Sequence, residues 1–204
     1  MTFQATLQGR ELLLSGDGGP LLTLTLDQGG RHRVLVPDAA LLQQLLTALE
    51  TVPGVCVLPA DGGLLGAMSV SANLSLALRY GVDAEEVALD DWENALVLAF
   101  RLCGLSEERI RSIGREQPMH LERIERWLIG YVRYLLRPCE LLVFDRIFAG
   151  LSRAQAQAVI ALETVYHQFH PFRPTLFVEL DAHSLPVIPD CRPTLELEGA
   201  PCPS

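Results

Sequence analysis

The sequence predicts an α/β chain with a mainly parallel central sheet, an antiparallel β part at the N-terminus and a small helical lobe in the middle. Three observations carry this. The first third groups apolar residues in short runs broken by GDGG and DQGG, the pattern of an antiparallel meander. The middle repeats apolar residues at helical spacing. The last third alternates strand-like apolar runs with one long helical stretch, which implies parallel strands joined by crossovers, with the meander at one edge of that sheet. The 204 residues, 49% of them hydrophobic, suit a single domain over 1–204 with the helical lobe of about 68–136 inserted.

Taken in order, residues 3–7, 11–15 and 21–26 read as the meander, and RHRVLV (31–36) as a further strand ended by Pro37. Asp38 is a helix N-cap for AALLQQLLTALE, whose leucine stripe reads as core. Val55 to Leu58 is a short buried strand. Helices follow over 69–80 and 90–102, punctuated by Gly81 and Gly104. Ser106 opens SEER, a capping box. Residues 121–136 form a helix with Arg and Glu on one side and Trp127, Leu128, Tyr131 and Leu135 on the other, stopping before Pro138. ELLVFD (140–145) is a continuous apolar run ending in an acid, a buried parallel strand. Ser152 caps a helix to about His170, and Thr175 to Leu180 and Thr194 to Glu198 are the closing strands.

Composition removes several function classes. A net charge of −9 argues against binding a nucleic-acid backbone, which needs a basic face. All sixteen basic residues are Arg; without Lys there is no Schiff base, Ser-Lys pair or P-loop lysine. Cys56, Cys103, Cys139, Cys191 and Cys202 form no CxxC pair, so they read as reduced thiols rather than a zinc site or disulfide framework. The start, MTFQATLQGREL, lacks the basic and apolar segments of a signal peptide. No apolar run approaches the ~20 residues that span a bilayer. The expectation is a cytoplasmic protein without direct membrane insertion.

A family resemblance rests on several strings in order. RPCELLVFDRIFAGLS (137–152) is similar to "DPELLLLDEPFAGLD", the Walker B and D-loop stretch of ATP-binding cassette (ABC) ATPases. Arg133 falls at the arginine of that family's signature helix. GVCVLPADGGLLGAMSVSANLSLALRYG (54–81) resembles the Q-loop and the start of the helical lobe, and Gly104-Leu105 the "GL" before the signature. TLFVELD (175–181) resembles the H-loop strand, and CRPTLELEG (191–199) the closing "DRVLVLEDG". The likeness spans roughly residues 8–199, and GGLLGAMSVSAN is most similar to cassettes of Mla-type phospholipid transporters. The resemblance implies a P-loop NTPase-like ABC ATPase fold.

It does not carry the family's chemistry across. Walker A needs glycines to cradle phosphate, a Lys and a hydroxyl. Here VLV leads into PDAAL, so Pro37 and Asp38 stand in a loop about four residues too short for that motif. Asp38 would repel a phosphate at the helix N-terminus. Ala60 stands for the Q-loop glutamine, Leu180 for the H-loop histidine, and LERIE, beginning Leu121-Glu122, for LSGGQ. Asp145 is kept, but the general base after it is Arg146, which stays protonated and cannot accept a proton.

These residues are expected to be degenerate counterparts, with no catalytic residue, nucleotide site or metal. Asp145 reads as a strand-end carboxylate paired with Arg or backbone N–H, with a magnesium ligand as the alternative. Arg146 reads as a surface or interface charge, or as a ligand-binding arginine. Glu163, His167 and His170 share a helix face and are either imidazoles near a helix C-terminus or metal ligands. The DGGLLG glycines are a turn or a phosphate cradle, and His183 belongs to no triad. The expected function is a pseudo-ATPase cassette, structural or regulatory, in a lipid transport system at the inner face of the membrane. A transmembrane permease subunit or another ABC ATPase subunit would be its partner. The alternatives are a divergent subunit still binding MgATP, and a stand-alone interaction module.

Overall fold

Gln4–Gln8 (β1), Glu11–Gly16 (β2) and Gly19–Thr25 (β3) pair antiparallel in the order β1-β2-β3. Alternation drives this: Leu12, Leu14 and Leu24 turn to the core while Thr23 and Thr25 face water. The meander is a sheet of its own and not the edge of the parallel one. The parallel sheet has the order β5-β6-β7-β4-β8, built from Arg31–Leu35 (β4), Val55–Leu58 (β5), Leu141–Asp145 (β6), Thr175–Glu179 (β7) and Thr194–Glu196 (β8). Every residue of β6 and β7 is buried, and Leu12, Leu14 and Leu24 of the meander share one apolar cluster with Val143 and Val178, so the two sheets meet through side chains and not through a shared ladder. The computed structural model describes residues 3–17, 19–80, 94, 97–98, 100–135, 139–180, 191 and 194–197.

The chain divides into two compact units. One comprises 1–57, 139–149 and 170–204; the other comprises 58–138 and 150–169. The first unit holds the meander, the parallel sheet apart from Leu58 at the end of β5, and Ala39–Glu50 (α1). Leu42, Leu45, Leu46 and Leu49 of α1 join Leu12, Leu24, Val34, Val143 and Val178 in one apolar cluster. Each fully buried leucine contributes roughly 1.5–3 kcal/mol, and the leucine stripe ties α1 to both sheets of this unit.

The second unit is helical: Val70–Tyr80 (α2), Glu107–Ile113 (α3), Arg123–Leu135 (α4) and Arg153–Phe169 (α5). Ser106 caps α3 by accepting from the Arg109 N–H at 3.2 Å. Ser152 and Gln155 exchange hydrogen bonds across the first turn of α5. Of the helix expected over 90–102, only Asn94, Val97, Leu98 and 100–102 are described, and these are helical. Pro138, Cys202, His183 and the Leu135 side chain lie outside the described residues.

Trp127 and Tyr131 of α4 stack at 5.3 Å, and the Tyr131 hydroxyl donates to the Leu162 carbonyl of α5 at 3.0 Å. The loop before α2 crosses α4 backbone to backbone. Gly62 has φ +86 and a side chain there would meet the Arg126 carbonyl, while one on Gly130 would meet the Gly62 carbonyl. Gly62→Ala is therefore expected to destabilise by about 3 kcal/mol. Gly9→Ala, also left-handed but in open space, is expected to cost only about 1 kcal/mol. Urea denaturation of both variants checks this; equal losses would mean that the crossing is not tight.

Candidate functional site

The parallel strands β4, β6 and β7 end together, with Leu35 in register with Glu179 and Asp145 with Val178. The crevice beyond such carboxyl ends is where open α/β sheets hold ligands. Only Val36, Pro37 and Asp38 join β4 to α1. The Val36 N–H donates to the Glu179 carbonyl at 2.8 Å, extending the sheet ladder. Pro37 has no N–H. Asp38 adopts extended backbone and its Oδ1 accepts the Leu41 N–H at 2.8 Å. The helix N-terminus is thus occupied by the chain's own carboxylate.

At the end of β6, Asp145 is buried. Arg146 covers it with two hydrogen bonds, Nε to Oδ1 at 2.6 Å and Nη2 to Oδ2 at 3.1 Å. Those bonds raise the pKa of the guanidinium further, against the effect of its partial burial. Arg146 adopts φ 43, a left-handed conformation that costs a side-chain-bearing residue about 1 kcal/mol. Its N–H donates to the Val178 carbonyl at 2.9 Å, and its carbonyl accepts from the Ala149 N–H at 3.2 Å.

Two residues of this region escaped the sequence reading. Glu179 ends β7 at 2% exposure, with Oε1 accepting the Phe148 N–H at 3.4 Å. Burial pushes its carboxyl up to about 7; the Phe148 N–H lowers it, Asp145 raises it, and Arg146 and Arg33 lower it. Arg33 of β4 is buried, and its Nε and Nη1 find no hydrogen-bond partner among the described residues. The available signal is Glu179 inside the apolar run TLFVEL and Arg33 inside the strand RHRVLV. Leu180 is half-buried against the apolar cluster and offers neither donor nor acceptor.

The remaining candidates belong to the second unit. Ala60 presents its carbonyl, which accepts from Arg123 Nε at 3.3 Å. In the glycine turn the Gly62 N–H goes to the Pro59 carbonyl and the Gly63 N–H to Asp61 Oδ1, at 2.9 and 3.0 Å. Both N–H groups serve the turn, which is not a phosphate cradle. Arg133, on α4, donates to the Gly63 carbonyl at 2.8 Å. Leu121 is buried, and Glu122 is exposed with its N–H donating to Glu125 Oε2 at 2.9 Å.

Glu125 lies on the Arg and Glu side of α4, yet that side is not all solvent-facing. It is buried and receives Arg109 Nε and Nη2, both at 2.7 Å, while Arg109 also pairs with Glu116. Burial opposes the charge on Glu125, but the Arg109 hydrogen bonds outweigh it and hold the carboxyl below its usual range. On α5, His167 Nε2 lies 2.6 Å from Glu163 Oε1. Among the described residues no group of three His, Cys, Asp or Glu could hold a metal ion.

Nucleotide and magnesium, which the resemblance implies, do not fit these residues. A phosphate needs converging N–H groups and a cation, but the first turn of α1 donates to Asp38. Both oxygens of the one retained acid, Asp145, are bonded to Arg146, where magnesium would need an oxygen ligand.

The fold is that of the ATP-binding cassettes of ABC transporters. The chain is similar to the ATP-binding subunit of an ABC transporter, with 14% identity, TM-score 0.64, 97% of this chain and 86% of that one covered. A metal-chelate-type ABC transporter in an inward-facing conformation matches at 17% identity and TM-score 0.61, covering 91% of this chain and 73% of that one. The dimeric bacterial ABC transporter cassette MJ0796 matches at 10% identity and TM-score 0.60, covering 96% and 91%. No protein-family model and no curated protein matches the sequence. No helix among the described residues is long and apolar enough to cross a membrane.

Glu179 makes stability depend on pH. Its carboxyl is raised from an ordinary 4.5 to about 7, so between those values the folded chain binds the proton more tightly than the unfolded chain. Stability is therefore lost as pH rises through this window, by about 3 kcal/mol in full. His32 acts oppositely: burial lowers its pKa against the raising effect of Asp27, so it removes stability below pH 6.5. The His32 effect cancels in a comparison with Glu179→Gln. Urea denaturation should show Glu179→Gln gaining on the native chain by about 2–3 kcal/mol from pH 5 to pH 8; a constant difference would exclude the shift.

Proposed function

We propose that this chain is a cassette-fold subunit of a transport system that neither hydrolyses ATP nor binds it tightly, and that its role is structural or regulatory. The carrying observation is the bidentate Arg146–Asp145 pair at the end of β6. It puts a guanidinium on the acid and at the position where a cassette needs its general base. The capped, three-residue β4–α1 connection supports the same reading.

The similar structures are transporter ATP-binding subunits and cassettes, which supports a permease or a second cassette as the partner and the cytoplasmic face of a membrane as the place. Leu65 and Met119 are exposed at 49% and 72%. Both stand near the start of α2, where Asn73 holds the Leu65 backbone and the Val70 N–H donates to Glu116. Exposed apolar side chains of this kind suit a short helix of a permease, because such docking needs apolar shape and no phosphate. The GGLLGAMSVSAN string favours a lipid transporter of the Mla type.

Restoring one group tests the reading. Arg146→Glu returns an acid to the general-base position, yet turnover of MgATP should stay at background, because the β4–α1 connection still lacks a phosphate site. Turnover by Arg146→Glu would mean that the remaining site is competent. When the native chain is mixed with an active cassette, the rate per active subunit should fall or stay unchanged. Glu122 stands exposed at the signature position, and two like charges at ~4 Å repel by about 4 kcal/mol at an effective dielectric of 20. A rate above that of the active cassette alone would contradict the proposal.

A further inference from the structure

A groove of 580 Å³ runs between β1 and α1, and nothing in the cassette reading uses it. Its floor on the strand side is Phe3, Gln4, Ala5 and Thr6, four consecutive residues. Successive side chains of a strand point to opposite faces, so a surface lined by consecutive residues lies along the strand's edge. Among the described residues β1 is indeed an edge, pairing with β2 alone. Among the described residues its backbone makes no hydrogen bond beyond that pairing. The groups that point away from β2 have no hydrogen-bond partner among the described residues.

Natural edges are usually blunted by charge, proline or a bulge. β1, QATLQ, has no charge and no proline, and the irregularity of this sheet lies in the β2–β3 pairing, between Leu14 and Ser15 of β2. Opposite the edge, α1 supplies a wall of Gln43, Gln44, Thr47 and Thr51. These residues fall on one helix face and carry amides and hydroxyls. An open strand beside a helix wall is the arrangement that accepts an extended peptide as an added strand.

We propose that the β1–α1 groove binds an extended segment of a partner protein by strand addition to β1, with uncharged residues in the groove and a basic residue at one end. Charge selects this occupant. None of the nine lining residues is charged, so charged side chains inside the groove would lose hydration without a partner. Exposed Glu50 does not line the groove but directly precedes its lining residue Thr51, and its carboxylate favours a cation on a peptide bound there. A second copy of this chain would bring another net charge of −9, which disfavours self-pairing. This site is independent of whether nucleotide binds.

A library of end-blocked octapeptides, with uncharged centres and either Arg or Asp at one end, probes the groove by fluorescence anisotropy. Arg-ended members are expected to bind at about 100 μM, and Asp-ended members at least about tenfold more weakly. Binding should slow hydrogen exchange at amides of residues 4–8. Thr47→Trp, a change at an exposed wall position, should fill the groove and lose about tenfold in affinity. Gln44→Trp gives an independent obstruction, and Glu50→Gln should remove the preference for Arg over Asp. No peptide binding tighter than about 1 mM, unprotected β1 amides, or unchanged affinity in both tryptophan variants would overturn the proposal. So would dimerisation of the native chain through β1 in sedimentation equilibrium.

Discussion

Burial of β6 and β7 on both faces is the constraint on which the rest depends. A strand with no wet face confines its polar side chains to its ends, where each must find a local partner. Asp145 finds Arg146, the next residue, which takes a left-handed conformation with its guanidinium on both carboxylate oxygens. Among the described residues Glu179 finds only a long hydrogen bond from Phe148, and its proton is held more tightly as a result. Beyond the strands, therefore, the Asp145 charge is matched from within the chain, while Glu179 is held towards its neutral form.

The same economy governs the helix termini. Where α1 begins, Asp38 accepts the N–H that a ligand would otherwise take. Where α4 begins, Glu125 accepts from Glu122 while Arg109 neutralises it. A helix N-terminus attracts anions through unsatisfied N–H groups and its dipole. Filling both with carboxylates removes two places where phosphate would be favoured. The free polar surface lies instead at the β1 edge, which has no such internal partner among the described residues.

Much of this was legible because periodicity reports burial. ELLVFD and TLFVEL announced strands without a wet face, AALLQQLLTALE announced a buried stripe, and Asp38 and Ser106 announced helix starts. The separateness of the two sheets was not legible, because alternation says which side of a strand is apolar but not which strand lies beside it. The burial of Glu125 was not legible for a related reason. Its partner Arg109 lies sixteen positions away, and a helical wheel shows no tertiary neighbour. The absence of Lys and the sequence PDAAL made the degenerate site readable, whereas Arg33 and Glu179 required the register of β4 against β7.

The central claim is that the ends of β4, β6 and β7 no longer form a nucleotide site. Calorimetric titration of the native chain with MgATP tests it most directly. The account predicts no saturable heat up to millimolar nucleotide. A dissociation constant below about 100 μM, near −5.5 kcal/mol, with heat abolished by Asp145→Ala, would contradict it.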